Sequence, residues 1–290
     1  MCRAMTDTTR GPDTLEPGVV RLTANNPAPF TNTGTQSYVV GTNDLAVIDP
    51  GPAGDDAHLQ ALLQEVAGRP VRAILCTHTH RDHSPGAVAL KQATGAPIVG
   101  CAPLAGHDGG GGSDAAFDRD YAPDRVLADG DSVAGEGWTL TALSTPGHAS
   151  NHLCFALEES GALFSGDHVM GWSTSIVSPP DGDMGDYMAS LDKLLGRDDR
   201  VYYPGHGPAV DTPRRLVRGM MGHRKAREGA ILRMLRGAPC DIGAMVEAMY
   251  VSLDPRLRPA AARSVLAHLL DLRRRGEVIG EEGATWSIAA

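Results

Sequence analysis

The chain has 290 residues, 42% of them hydrophobic and 21% charged, a balance that fits a folded protein with a sizeable core and excludes a disordered one. No window approaches 18 consecutive apolar residues, which excludes a membrane-spanning helix. A formal net charge of −9 argues against a general nucleic-acid binder. The charge is uneven: residues 1–210 carry 12 Lys and Arg against 26 Asp and Glu, whereas residues 211–290 carry 14 against 9. The C-terminal region can still meet an anion locally, although a solvated Arg-rich helix surface is the plainer reading. The five cysteines are odd in number and scattered, with no CxxC pair, so neither a disulfide framework nor a thiolate zinc site is expected. Cys76 and Cys154 fall in apolar runs and are read as core residues. Met1–Arg10 contains no apolar stretch, so no secretory leader is expected and the expected compartment is the cytoplasm.

Residues 1–17 are polar, lack periodicity and predict a flexible tail. Gln36–Val40 and Leu45–Ile48 flank the turn chemistry of Gly41-Thr42-Asn43-Asp44 and predict a hairpin. Leu59, Leu62, Leu63 and Val66 at helical spacing predict a helix over 56–67. Val71–Cys76 is the short apolar run of a buried strand; a helix follows over 85–94 and a strand over 97–100. Gly106–Ser113 is too rich in glycine for either element and predicts a mobile loop. Strand-like segments recur over 138–143, 152–157, 162–165 and 201–203, with a helical face over 184–195.

After Pro213 the composition turns to helix formers and arginine. A long helical pattern covers 214–236, with Gly222 as its weak point. Asp241 is placed to N-cap a helix to Tyr250. Pro259 opens a third helix that Gly276 closes, and 278–279 with 285–288 predict a small hairpin. Three helices and a hairpin outline a winged helix. The expected organisation is a tail (1–17), a catalytic domain (18–212), and a linker helix with a winged-helix-like domain (213–290).

The dominant chemical feature is Thr77-His78-Thr79-His80-Arg81-Asp82-His83, directly after an apolar strand. On an extended end, His78 and His80 fall on one side, and Asp82 and His83 follow on the turn. Three histidines and an aspartate in one hexapeptide are hard to explain as a polar turn and point to a metal. The same punctuation, strand then small residues then a ligand type, recurs at His148 (TPGH), Asp167 (SGDH) and His206 (YPGHG). Each alone is an ordinary polar turn; the repetition points to one convergent site.

This set, HxHxDH followed by single His, Asp and His, resembles the metallo-β-lactamase superfamily over about residues 18–210. The resemblance implies an α/β fold, a four-layer αββα sandwich with two metals at one edge of its sheets. Carried over by motif, His78, His80 and His148 hold the first metal, Asp82, His83 and His206 the second, and Asp167 bridges them. Asp49, in Ile48-Asp49-Pro50-Gly51, matches the first motif of the superfamily and supports the site from behind; His152 is read as a further supporting residue. His168 and His223 are candidates for substrate contact, with loop filling and a surface position as their respective alternatives.

Imidazole and carboxylate without thiolate suit two zinc ions, with iron or manganese as alternatives; a di-iron relative would carry Glu in place of His80. Paired cations lower the pKa of water and supply a hydroxide nucleophile, so the implied reaction is hydrolysis, with Asp82, His80 and Asp167 as its catalytic residues.

No leader is expected and position 167 is Asp rather than Cys, unlike exported lactamases, and the large insertion before the last histidine (polyadenylation-type nucleases) is missing. The compact core, the helix bearing His223-Arg224, the segment Ser178-Pro179-Pro180-Asp181-Gly182-Asp183-Met184 and the winged-helix tail resemble the lactamase-β-like protein 2 group. That resemblance implies a link to single-strand endoribonucleases, which the group contains, and to thioester hydrolases and uncharacterised hydrolases among its close bacterial and fungal relatives. The acidic core favours a small carboxyl substrate (thioester, ester or lactone) over single-stranded RNA, which needs a positive groove. A winged-helix DNA-binding regulator is the third reading. No membrane partner is expected, and the oligomeric state is left open.

Overall fold

The structure is a computed structural model and describes residues 11–104 and 117–289. The glycine-rich segment Gly106–Ser113 lies outside the described residues. By internal contacts the chain divides into two units: one formed by residues up to Ser144 with 151–173 and 199–211, the other by 145–150, 174–198 and 212–290.

The first unit is built on two sheets. In the larger, β1 (Asp13–Glu16), β2 (Val19–Thr23), β3 (Gln36–Val40), β4 (Leu45–Ile48), β5 (Val71–Cys76), β6 (Ile98–Gly100) and β7 (Arg125–Val126) lie side by side in chain order. Pairing is antiparallel as far as β4 and parallel from β4 to β7. Helices α1 (Asp56–Val66) and α2 (Gly86–Thr94) provide the long crossovers that parallel neighbours require. The second sheet contains β8 (Ser132–Gly135), β9 (Trp138–Ser144), β10 (Leu153–Leu157), β11 (Ala162–Gly166) and β12 (Val201–Pro204), in the order β12-β11-β10-β9-β8. Only its β11–β12 pair is parallel. Every residue of β3, β4, β10 and β11 is buried, as strands covered on both faces must be. Val47, Leu62, Ile74 and Leu90 join Leu140, Phe155 and Phe164 of the second sheet in one core. Tyr38 ties the two sheets together: its ring lies 5.0 Å from that of Phe164 and its hydroxyl donates to the Pro204 carbonyl at 2.6 Å.

The expected tail is corrected in part, because residues 13–16 form the edge strand β1. Apart from Leu15, which packs against the core, its side chains are polar as suits an edge strand, and Asp13 pairs with Arg21 at 2.5 Å. Gly222 does not interrupt its helix.

The second unit contains α3 (Met184–Leu195), α4 (Pro213–Gly237), α5 (Ile242–Met249), α6 (Arg258–Arg274) and the hairpin β13 (Val278–Ile279) with β14 (Ser287–Ile288). Asp183 caps α3 by accepting from Asp186 N at 2.9 Å, and Asp241 caps α5 by accepting from Ala244 N at 2.8 Å. Ile231, Met245, Val265, Leu269, Leu272 and Trp286 form its separate core, the packing of a winged helix. Among the described residues no helix is long and apolar enough to cross a membrane. Cys76, Cys101, Cys154 and Cys240 are free thiols, the first three buried.

Candidate metal centre

The ligand-type residues follow strand ends. Asp49 follows β4, the segment from Thr77 to His83 follows β5, His148 follows β9, Asp167 follows β11 and His206 follows β12. Parallel pairs send both chains out at the same end, so β4 with β5, and β11 with β12, deliver their loops together. Among the described residues two groups result: His78, His80, His148 and Asp167; and Asp82, His83 and His206. Within each group, one ligand atom per residue lies within 4.8 Å of the others. Asp167 also reaches the second group, with Oδ1 3.4 Å from His83 Nε2 and Oδ2 3.3 Å from His206 Nε2. A carboxylate so placed can serve both groups at once.

The hydrogen bonds behind the rings settle which nitrogen is free. His83 Nδ1 lies 2.9 Å from Asp49 Oδ2, His206 Nδ1 3.3 Å from the Gly34 carbonyl and His148 Nδ1 2.7 Å from the Ile176 carbonyl. Thr77 donates its hydroxyl to Asp49 Oδ2 at 2.8 Å, so it accepts from His78 Nδ1 at 2.9 Å. In all four rings Nδ1 has its acceptor behind it, which leaves Nε2 as the nitrogen that can turn to a metal once any proton there is displaced. Yet His83 Nε2 faces His206 Nε2 at 3.3 Å, and His78 Nε2 faces His80 Nδ1 at 2.8 Å. Ring nitrogens converging in this way beside two carboxylates fit a cation. This donor set of imidazole and carboxylate, braced from behind, suits two divalent metals.

Protons stand in for that charge in the metal-free chain. Burial works to lower His206, but the Asp167 and Asp82 carboxylates outweigh it and lift its pKa to about 9. His83 is likewise raised, against its burial, by Asp82, Asp167 and Asp49. Burial works to raise Asp82 and Asp167, yet the facing histidines hold both well below the usual carboxylate range. His78, buried among His83, His80 and His152, is pushed down and stays neutral. The site thus stores about as much positive charge as its carboxylates demand, in a form a metal can replace.

Asp49 is 2% exposed and sits at φ 49°, a left-handed conformation that aspartate tolerates better than most residues. It accepts from Thr77 N and Thr77 Oγ1, each at 2.8 Å, as well as from His83. His152 Nε2 accepts from Asp167 N at 3.2 Å, and its ring centroid is 5.1 Å from that of His78. His168 is fully buried, 5.8 Å from the His152 ring. His223 is exposed on α4, 3.4 Å from Arg227 Nε. Residues not foreseen also contribute. Thr35 Oγ1 donates to Asp82 Oδ2 at 3.0 Å, the Phe117 ring lies 4.6 Å from that of His80, and Gly205 leaves room where a Cβ would come within 2.4 Å of Asp167 Oδ1.

Histidines and shared carboxylates at the strand ends of two mixed sheets, in a chain that also carries a winged helix, define a binuclear metal-binding hydrolase. The chain belongs to the metallo-β-lactamase superfamily, whose family model matches residues 31–206; the model of the beta-lactamase associated winged helix domain matches residues 242–286. It is 32% identical over 284 residues to a "Beta-lactamase-like protein 2 homolog" of Drosophila melanogaster, covering 91% of this chain and 90% of that one. It is also 32% identical over 235 residues to an "Atrochrysone carboxyl ACP thioesterase" of Aspergillus fumigatus, covering 77% of this chain and 67% of that one. In fold it matches a beta-lactamase domain protein from Burkholderia ambifaria, with a TM-score of 0.80, 22% identity and 96% and 93% of the two chains covered.

Proposed function

We propose that this hydrolase cleaves a small carboxyl derivative, a thioester ahead of an ester or lactone, and works with two zinc ions. The convergence of His83 Nε2 and His206 Nε2 between the carboxylates of Asp82 and Asp167 carries the hydrolytic reading. His78, His80, His148 and Asp167 would hold one ion, and Asp82, His83 and His206, with Asp167 shared, the other. Bound there, the ions supply Lewis acidity and lower the pKa of water. The protein's own part is to fix the ligand tautomers, through Asp49, Thr77, Gly34 and Ile176, and to handle a proton. Asp82 has a side chain 27% exposed and commits Oδ2 to Thr35 and His206; its Oδ1 is the atom assigned to accept the proton of the attacking water.

The thioester assignment draws on the printed name of the Aspergillus relative and on the acidity of residues 1–210, which repels polyanions. A second reading, single-strand endoribonuclease, is favoured by Arg215, Arg218, Lys225, Arg233 and Arg236, all exposed along α4. The regulator reading is weakened by α6, which buries Ala261, Val265, Leu266, Leu269 and Leu272 as packing residues.

The test is hydrolysis of an acyl-N-acetylcysteamine thioester, a lactone and a labelled single-stranded RNA by zinc-loaded protein, with His80→Ala in parallel. Thioester turnover by the wild type alone is the expected result. RNA cleavage without thioester turnover would replace it with the nuclease.

A further inference from the structure

Arg224 is 4% exposed and, among the described residues, no carboxylate lies within ion-pair distance of it. A buried cation without a counter-ion costs several kcal/mol in desolvation, so its contacts must serve something. Its Nη2 donates to the Ser175 carbonyl, its Nη1 lies 3.3 Å from Ser264 Oγ, and its guanidinium carbon is 5.2 Å from the centre of the Tyr187 ring. The very next carbonyl, that of Ile176, accepts from His148 Nδ1 at 2.7 Å. One short segment therefore has one carbonyl held by an arginine of α4 and the next holding a metal-ligand histidine.

The neighbouring contacts follow the same line. Arg263 of α6 donates to the Pro179 carbonyl, and Arg274 Nη2 is 2.8 Å from Asp183 Oδ1. The gripped segment in turn holds the turn around His148. Asp183 N donates to the Gly147 carbonyl at 2.9 Å, Ser150 N and Oγ donate to Asp181 at 3.0 and 2.5 Å, and Ser190 Oγ donates to the Pro146 carbonyl at 2.8 Å. Tyr187, whose ring meets Arg224, passes so close to Gly147 that a Cβ there would stand 2.3 Å from Tyr187 Cα. This is why residues 145–150 and 174–198 cluster with the C-terminal region.

We propose that Arg224 is a positioning residue for His148, fixing through the Ser175–Ile176 carbonyls the tautomer and direction of that ligand. The C-terminal region is then a working part of the metal centre. The proposal rests on the metal-centre reading above. A carbonyl that holds Nδ1–H leaves Nε2 free for the metal, and loss of such a brace costs about 10–100-fold in metal affinity.

The test compares wild type, Arg224→Met and Arg224→Lys by cobalt(II) titration followed by absorption, with total metal content and melting temperature measured on the same samples. The group of Asp82, His83 and His206 is the internal control. Arg224→Met, which keeps bulk but removes the donors, is expected to weaken one ion about tenfold or more and leave the other unchanged. Arg224→Lys keeps the charge and one donor and is expected to weaken the same ion by less than Arg224→Met does; it carries the test alone if the Met variant does not fold. Two ions titrating as in the wild type, or both weakened alike, would overturn the positioning role. A wild type that binds fewer than two ions would instead sink the metal-centre reading itself.

Discussion

Replacing Asp49 by Asn changes almost no volume but turns one acceptor oxygen into a donor. The carboxylate accepts three donors: Thr77 N on Oδ1, and Thr77 Oγ1 and His83 Nδ1 on Oδ2. An amide can match only one side. With its oxygen toward Thr77 N, its NH2 faces the Nδ1 proton of His83, and the ring escapes by moving that proton to Nε2. The lone pair that faces His206 is then lost. With the amide turned over, NH2 meets the backbone N–H of Thr77 instead. Hydrogen bonds to a charged acceptor are worth about 1.5–3 kcal/mol each, so the buried mismatch is expected to cost about 2–3 kcal/mol of stability. Affinity for the ion held by Asp82, His83 and His206 should fall about 10–100-fold, or about 1.4–2.7 kcal/mol. Asp49→Ala, which orphans all three donors, should cost about 5 kcal/mol. Metal content after dialysis and urea unfolding of the metal-free protein measure the two effects separately. An Asp49→Asn protein that keeps two tightly bound ions at wild-type stability would refute this account of the tautomers.

Three further outcomes are expected. The pKa of His206, raised to about 9 in the metal-free fold, contributes stability that is whole below the unfolded value of about 6.5 and disappears as pH climbs through 9. The metal-free protein should therefore lose about 3 kcal/mol over that window, and a melting temperature that stays flat there would contradict it. Gly205→Ala retains every ligand but places a Cβ 2.4 Å from Asp167 Oδ1 and 2.7 Å from His83 Cε1; about tenfold weaker metal binding with an intact circular dichroism spectrum is expected. His223→Ala, at an exposed position on α4, should leave turnover within about twofold, and a larger loss would restore His223 as a candidate for substrate contact.

The local chemistry of the site was legible because each ligand sits just past an apolar run, where a single periodicity ends in Gly, Pro or Thr. Helix caps such as Asp241 were legible for the same local reason. Long-range pairing was not. Strands 13–16 and 125–126 are short edges with one apolar residue each, and 132–135 offers mostly small residues; each is a strand because of its neighbour. Thr35 bonds Asp82 across 47 positions, and nothing near Thr35 marks it. Arg224 stood out beside His223, but its burial, and so its work, depends on Tyr187 and Ser175, which the chain brings to it only on folding. His168 stood between substrate contact and loop filling on the sequence alone, because its burial comes only with the fold.

Because Asp49 and the metal-ligand residues leave from the ends of β4, β5, β9, β11 and β12, the intervening loops are anchored by strands at both ends. Apart from the turn after β9, which residues 174–190 brace, such loops can lengthen, shorten or change charge while the residues at the strand ends stay fixed by the sheets. The fold therefore separates inheritance of the reaction from inheritance of the substrate: the first is written in a few strand-end residues, the second in segments free to drift. A chain built this way can acquire a new substrate without passing through an inactive ancestor.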